Sequence, residues 1–306
     1  MKHQRIGFVV MAAFFALAPL AMYPVFLMKV MCLALFAGAF NLLIGYGGLL
    51  SFGHAMFLGV AGYGAAYSAK AWGFAPEFAI LFGTAAATVL GLLAGLIAIR
   101  RQGIYFAMIT LALAQMVFFF CVQAPFTGGE DGIQAVPRGM LFGVLDLSNV
   151  WAMYATVLAI FGGGFFLIFR VIHSPFGQVL MAIRENEPRA VSLGYDTDRY
   201  KLLAFVLSAA LAGLAGATKA LVFQLASLTD VHWMMSGEVV LMTLVGGLGT
   251  VFGPVAGALV ILSMENYLDQ LGAWITVVQG LIFVVCVLIF RRGVIGELGH
   301  WLKKPL

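Results

Sequence analysis

Side chains able to do chemistry are sparse in this chain. The densest run lies between Arg170 and Lys201, RVIHSPFGQVLMAIRENEPRAVSLGYDTDRYK, with five of the 17 Lys/Arg and four of the 13 Asp/Glu. These residue types do not make a nucleophile–base pair or a metal set. They make helix punctuation and a charged surface, which suit the docking of a soluble protein. Ser174-Pro175 predicts a helix start, because Pro in the first turn has no N–H to lose. Asn186 predicts a second start as an N-cap, with Pro188 just inside it. Gly194 predicts the end of that second helix in the left-handed conformation that only Gly adopts cheaply. The expected product is a short helix near Glu187–Leu193, presented at the water-facing end of the molecule.

The remaining polar candidates stand inside apolar runs, where polar groups are functional candidates by default. His54 follows a glycine break in Ser51-Phe52-Gly53-His54. It either faces a transport path or bonds a backbone carbonyl freed by the break. Lys219 is six residues from the end of its apolar run. It either snorkels outward or pairs with Glu238 or Asp230. Thr110 and Gln115 are five residues apart, so they lie about 140° apart around a helix and do not share one stripe. With Gly47, Ser51, His54, Gly247 and Thr250 they form the candidate substrate path or hinge set.

Several classes are absent. There is no G-x-x-x-x-G-K-[ST], so ATP is not bound here through a P-loop. H-E-x-x-H and the nucleophile elbow are missing, and no catalytic or metal-ligating set emerges. No span carries a row of Arg or a central carboxylate, which argues against a voltage sensor and a proton-coupled carrier. If energy drives transport here, it enters from another protein through a cytoplasmic contact.

The elements that position these residues are membrane helices. The chain has 306 residues, of which 63% are hydrophobic and 10% charged, against about 25% charged in a soluble domain. Long apolar runs without period-two alternation exclude a β-barrel. The expected fold is an all-α polytopic membrane protein forming a single transmembrane domain over 1–306. About eight spans are read, at Ile6–Met28, Val30–Ile44, Gly47–Ala69, Phe78–Ile99, Ile104–Phe126, Val150–Phe169, Leu202–Leu225 and Ile275–Phe290. The N-terminal run resembles a signal peptide but is longer than a signal core and holds Pro19 and Pro24. Cys32, Cys121 and Cys286 all lie in apolar runs and read as small apolar filler.

Lys/Arg in short loops set orientation. Basic clusters at Lys2/Arg5, Arg100/Arg101, 170–201, and Arg291/Arg292 with Lys303/Lys304 are expected in the cytoplasm, with both termini. Segments 127–149 and 226–236 share one Lys/Arg, Arg138, and are expected outside. The net charge of +4 comes from loops and speaks for orientation, not nucleic-acid binding. Segment 264–273 carries Glu265 and Asp269 without Lys/Arg, so it is expected outside too. Glu238–Ser263 then starts and ends on one side, and 26 residues are too few for two full crossings. The favoured solution is a re-entrant pair of half-helices broken at Gly246-Gly247-Leu248-Gly249-Thr250. Irregular backbone survives at that depth only where protein or a water-filled cavity surrounds it.

An internal echo links Gly47-Gly48-Leu49-Leu50-Ser51-Phe52-Gly53 with Gly246-Gly247-Leu248-Gly249-Thr250-Val251-Phe252-Gly253. Glycine-broken segments in corresponding places often mark transport paths. Gly249/Gly253/Gly257 and Gly91/Gly95 recur every fourth residue, a spacing that lets helix backbones approach closely.

Five stretches in order then carry a resemblance: Gly45–Tyr63 (GYGGLLSFGHAMFLGVAGY), Gly103–Ala112 (GIYFAMITLA), Thr127–Ile133 (TGGEDGI), Ser174–Gly194 and Gly246–Gly257 (GGLGTVFGPVAG). The chain resembles the permease subunits of ABC importers for branched-chain amino acids, of the LivM type. The resemblance implies a heteromeric complex in the bacterial inner membrane. Its members would be a sister permease, two cytoplasmic ATPase subunits and an external substrate-binding protein. ATP would be used by the partners, with no cofactor held by this chain. It also implies that 170–201 is the ATPase-coupling loop, with Glu187, Pro188, Arg189, Ala190 and Gly194 as its contact region. Glu187, Ala190 and Gly194 are similar to the E-A-A…G coupling signature. Glu187 stands seven residues before the glycine instead of six, and Pro188-Arg189 replaces a small pair. Urea, short amides or another small solute remain open as cargo, and so does a self-contained channel or carrier.

Overall fold

The computed structural model describes residues 2–268, 277–278, 280–281, 284, 288 and 293–301. Twelve helices are described: α1 Lys2–Leu17, α2 Pro24–Asn41, α3 His54–Ala71, α4 Pro76–Ala98, α5 Ile104–Gln123, α6 Val150–Ile172, α7 Pro175–Glu185, α8 Glu187–Ser192, α9 Thr197–Phe223, α10 Trp233–Gly246, α11 Gly253–Leu268 and α12 Gly293–Trp301. Five are long and apolar enough to cross a membrane, when α2 is counted through its extension to Tyr46; the others are α4, α5, α6 and α9. The chain is an all-α polytopic membrane protein. The expected span at 275–290 lies largely outside the described residues, as does Cys286.

The bundle is organised on α2 and α9. α2 is apolar on every side, as a helix wrapped by others must be, and almost all its residues from Leu27 onward are buried. α9 packs against α2, α3 and α4. Small residues make the α4–α9 contact: a Cβ on Gly91 would meet Ala209, and one on Gly95 would meet Leu202 and Phe205. The four-residue glycine spacing acts here as close packing. Cys32 and Cys121 are buried, in keeping with their apolar runs.

One span is corrected. Ile6–Met28 is not continuous: α1 stops at Leu17, a short 3₁₀ turn covers Ala18–Leu20, and α2 restarts at Pro24. Pro cannot continue a helix from within but starts one readily, and the pair Pro19/Pro24 makes the turn. Lys29 therefore belongs to the second turn of α2.

The loops sort to two ends. At one end Gln102 bonds Glu187 and Arg184 bonds the Gly45 carbonyl, which brings 45–53, 100–103 and 170–201 together. At the opposite end Lys70 bonds the Gln134 carbonyl at 2.8 Å, and strand Ile133–Gln134 pairs antiparallel with Leu225–Ala226. A second two-stranded ribbon pairs Met140–Leu141 with Leu145–Asp146. Arg138 donates to the carbonyls of Leu221 and Val222, capping the last turn of α9 with a cation. The basic loops at 100–103 and 170–201 thus share one end, and the basic-poor segments 127–149 and 226–236 the other.

α10 and α11 form the hairpin expected from the charge pattern, extended by several residues at each end. Gly247 and Gly249 take φ of +122° and +73° in the break. At the open end Lys29 pairs with Glu265 at 3.3 Å, and Glu238 bonds Glu265. At the break a Cβ on Gly246 would strike the Gly253 carbonyl, and one on Gly257 the Met242 carbonyl. With 14 and 16 residues at about 1.5 Å each, neither arm matches the roughly 30 Å hydrocarbon core. A Cβ on Gly293 at the start of α12 would meet Gly246 and Gly247, so α12 begins at the break end.

Candidate functional site

The 170–201 loop folds as its punctuation predicts. Ser174 Oγ accepts from Gly177 N at 3.3 Å and starts α7. Asn186 Oδ1 accepts from Arg189 N at 3.1 Å and starts α8. Gly194 follows α8 with φ +87°. Within α8 the side chains divide. Ala190 is buried, whereas Pro188, Arg189, Val191 and Leu193 are exposed, Leu193 at 69%. Glu187 turns inward: its Oε1 meets Lys201 Nζ at 2.5 Å and its Oε2 accepts from Gln102 at 2.9 Å. The Lys201 side chain is only 4% exposed. Glu187 therefore fastens α8 to α9 and to the α4–α5 connection.

α7 lies beneath both glycine breaks. Leu180 packs on Gly47, Arg184 donates to the Gly45 carbonyl, and Arg184 also lies against Gly48 and Gly249. The Gly45 carbonyl is available because α2 ends in a π-helical turn, Leu42–Tyr46, which breaks the usual i→i−4 pattern. Asn41 joins the two breaks. Its Nδ2 donates to the Thr250 carbonyl at 2.9 Å and its Oδ1 accepts from Gly249 N at 3.0 Å. The echo has structural content: Ser51 Oγ accepts from Gly53 N and Thr250 Oγ1 from Gly253 N, each at the start of the next helix.

The candidate path residues have protein partners. Thr110 Oγ1 accepts from Phe52 N at 3.2 Å, so Ser51, His54 and Thr110 form one buried group at the α3 start. His54 is fully buried, ringed by Phe40, Phe57 and Phe205. Its Nε2 is 2.8 Å from Ser208 Oγ. That hydroxyl donates its single proton to the Ala39 carbonyl, so Nε2–H is the donor to Ser208. Gln115 is half-buried on α5 and takes no part in these bonds. Gly47, Gly247 and Thr250 belong to the two breaks.

The opposite end holds a second set of groups. Lys219 forms an ion pair with Asp230, one of the two partners the sequence offers it. Together with Lys29, Glu238 and Glu265 these residues line a cavity of about 450 Å³, with Leu33, Phe118 and Met235 among its apolar walls. Sequence reasoning missed Asn41, Arg184, Lys201 and Lys29. The signal for Asn41 was available, as a lone amide in an apolar run. Lys201 looks like an ordinary loop-edge cation until its partner is seen.

The chain is 25% identical to the high-affinity branched-chain amino acid transport system permease protein LivM of Escherichia coli (strain K12), over 83% of this chain and 65% of that one. It is 28% identical to the protein of the same name from Salmonella typhimurium, over 75% and 60%. It is also 28% identical to the ribose import permease protein RbsC of Bacillus subtilis, over 59% and 58%. The chain thus spans less than two thirds of the length of these relatives. No solved structure matches it. A family model for the permease component of branched-chain amino acid transport systems matches residues 22–288, and the chain belongs to that family.

Proposed function

We propose that this chain is a membrane-spanning subunit of an ATP-driven importer in the bacterial inner membrane. It moves branched-chain or related hydrophobic amino acids inward by alternating access. ATP is bound and hydrolysed by two partner ATPases at the cytoplasmic face. A sister permease completes the path, and an external protein delivers the cargo. The basic loops and both termini face the cytoplasm, as the distribution of Lys/Arg supports.

The observation that carries this reading is the form of the 170–201 loop. It is a doubly capped helix pair whose tip exposes Pro188, Arg189, Val191 and Leu193. Its base is tied to α9 and to both glycine breaks. Exposed apolar residues beside a cation fit a groove on a soluble partner better than they fit water. ATPase closure pushes α8. The Glu187–Lys201 pair passes the displacement to α9, and α7 passes it through Arg184 to the breaks at 45–53 and 247–252. The breaks flex because glycines at positive φ and short hydrogen-bonded turns replace continuous helix there.

The test is co-purification and reconstitution. The chain is expected to co-purify with two P-loop ATPases, and proteoliposomes of the complex to take up L-leucine only with ATP and the external binding protein. Val191→Glu with Leu193→Glu is expected to strip the ATPases from the purified membrane subunits. An Arg189→Glu or Gly194→Pro complex transporting at the wild-type rate counts against the coupling role. Uptake by the chain alone, without ATP, establishes a self-contained carrier instead. The likeness to a ribose import permease favours one second reading, a sugar as cargo, and ribose uptake by the same proteoliposomes decides for it.

A further inference from the structure

Lys29, Lys219, Asp230, Glu238 and Glu265 face one cavity of about 450 Å³ at the end opposite the coupling loop. Charges at membrane depth are expensive and mark function unless they only neutralise one another. Here Glu238 stands outside both ion pairs. Lys219 pairs with Asp230 and Lys29 pairs with Glu265. Glu238 remains beside Glu265, carboxyl against carboxyl. The two carboxyls hydrogen-bond to each other, so they share one proton, and two lysines face two remaining negative charges. An ammonium entering there takes the place of that proton, which leaves to the external water, and is answered by the carboxylate that remains. Lys29, whose side chain is 37% exposed, is the lysine most free to turn toward an anion. The walls at Leu33, Phe118 and Met235 are apolar, and the unbranched Met235 side chain adapts to hydrocarbon side chains of several shapes.

We propose that this cavity is a selectivity site for the zwitterionic head of a free α-amino acid. Glu238 takes the ammonium, Lys29 takes the carboxylate, and the apolar walls take the side chain. The permease would then discriminate for itself, in addition to any external binding protein. A neutral sugar has no charge to answer this arrangement. The inference rests on the amino-acid reading above and sharpens it to free, doubly charged amino acids.

The experiment uses the complete membrane complex, purified with its ATPases and without the external binding protein. Equilibrium binding of radiolabelled L-leucine is measured, with 4-methylpentanoate and isoamylamine as competitors that each lack one charge. Saturable leucine binding is expected, with each competitor at least tenfold weaker than leucine. Glu238→Gln is expected to weaken leucine binding at least tenfold, and Glu238→Asp much less. Asp131→Asn, exposed at the same end outside the cavity, is expected to bind as wild type. Gel filtration of each complex checks assembly, and Lys29→Met supplies a second variant if Glu238→Gln does not assemble. Absence of saturable leucine binding overturns the site. So does an assembled Glu238→Gln or Lys29→Met complex that binds as wild type, or a singly charged competitor as good as leucine. Leucine uptake by the wild-type proteoliposomes separates the two levels: if uptake stands and these binding results fail, only this inference falls. If ribose is taken up and leucine is not, the amino-acid reading falls with it.

Discussion

Two residues show how much depends on single polar groups in an apolar bundle. Lys201 is almost wholly buried and is answered by Glu187. Removing one partner of a buried pair leaves an uncompensated charge and costs about 3–5 kcal/mol, whereas replacing both with apolar residues costs far less. Glu187→Ala is therefore expected to lower the melting temperature of the purified chain markedly. The double variant Glu187→Leu/Lys201→Met is expected to recover most of that loss. Equal destabilisation by the single and double variants would show that the pair does not hold α8. Asn41 makes two hydrogen bonds to the α10–α11 break. Asn41→Ala orphans the Gly249 N–H and the Thr250 carbonyl and is expected to cost about 1–3 kcal/mol. Asn41→Asp keeps the acceptor for Gly249 but sets a buried carboxylate against the Thr250 carbonyl, so its thermal shift should be at least as large as that of Asn41→Ala.

At the scale of elements, the hairpin of α10 and α11 makes a prediction about sides. Asp230 precedes it and Tyr267 ends it, and the ion pairs at Lys219 and Lys29 hold both near one end. Tyr267 is 76% exposed. In a background without cysteine, Asp230→Cys and Tyr267→Cys are expected to react with an impermeant maleimide from the same face of the membrane. Arg189→Cys is expected to react only from the other. Labelling of positions 230 and 267 from opposite faces would establish a single full crossing. The α8 terminus gives a smaller effect. Gly194 has φ +87°, and nothing lies within 4 Å of an added Cβ. Gly194→Ala therefore meets only backbone strain, about 1 kcal/mol, and Gly194→Asn should be milder, because Asn tolerates that conformation. Thermal shifts in the order Ala larger than Asn check this.

At the scale of the whole molecule, α4 and α5 form an outer wall that is only about one third buried. Their exposed side chains, among them Val89, Leu93, Met108 and Met116, are apolar because hydrocarbon or another apolar surface surrounds them. Val89→Lys puts a charge near the middle of α4, where insertion scales assign roughly 2.5–3.5 kcal/mol to lysine. The yield of folded, membrane-inserted protein is expected to fall sharply, while Val89→Leu leaves it unchanged.

The sequence by itself determined what local chemistry decides. Long unalternating apolar runs mean membrane helices because the bilayer leaves no water for the backbone. Ser174, Asn186 and Gly194 set helix limits because caps act over three or four residues. Lys/Arg placement sorted the loops, and with 1.5 Å per residue it favoured a hairpin over 238–263, which the structure extends to 233–268. Tertiary structure alone decided which polar groups meet. Pairs 14 residues apart, Glu187 and Lys201, or 236 apart, Lys29 and Glu265, leave no mark on local pattern, because a long side chain reaches whatever the bundle brings near. The same holds for His54, whose Ser208 partner lies 154 residues away and makes it a buried strut among phenylalanines. The first span was misread because apolar composition carries through Pro19 and Pro24 without a break, whereas backbone geometry does not. The loop 170–201 was legible as a capped helix pair from its punctuation. That Glu187 faces inward while Val191 and Leu193 face outward was settled only by the helices packed behind it.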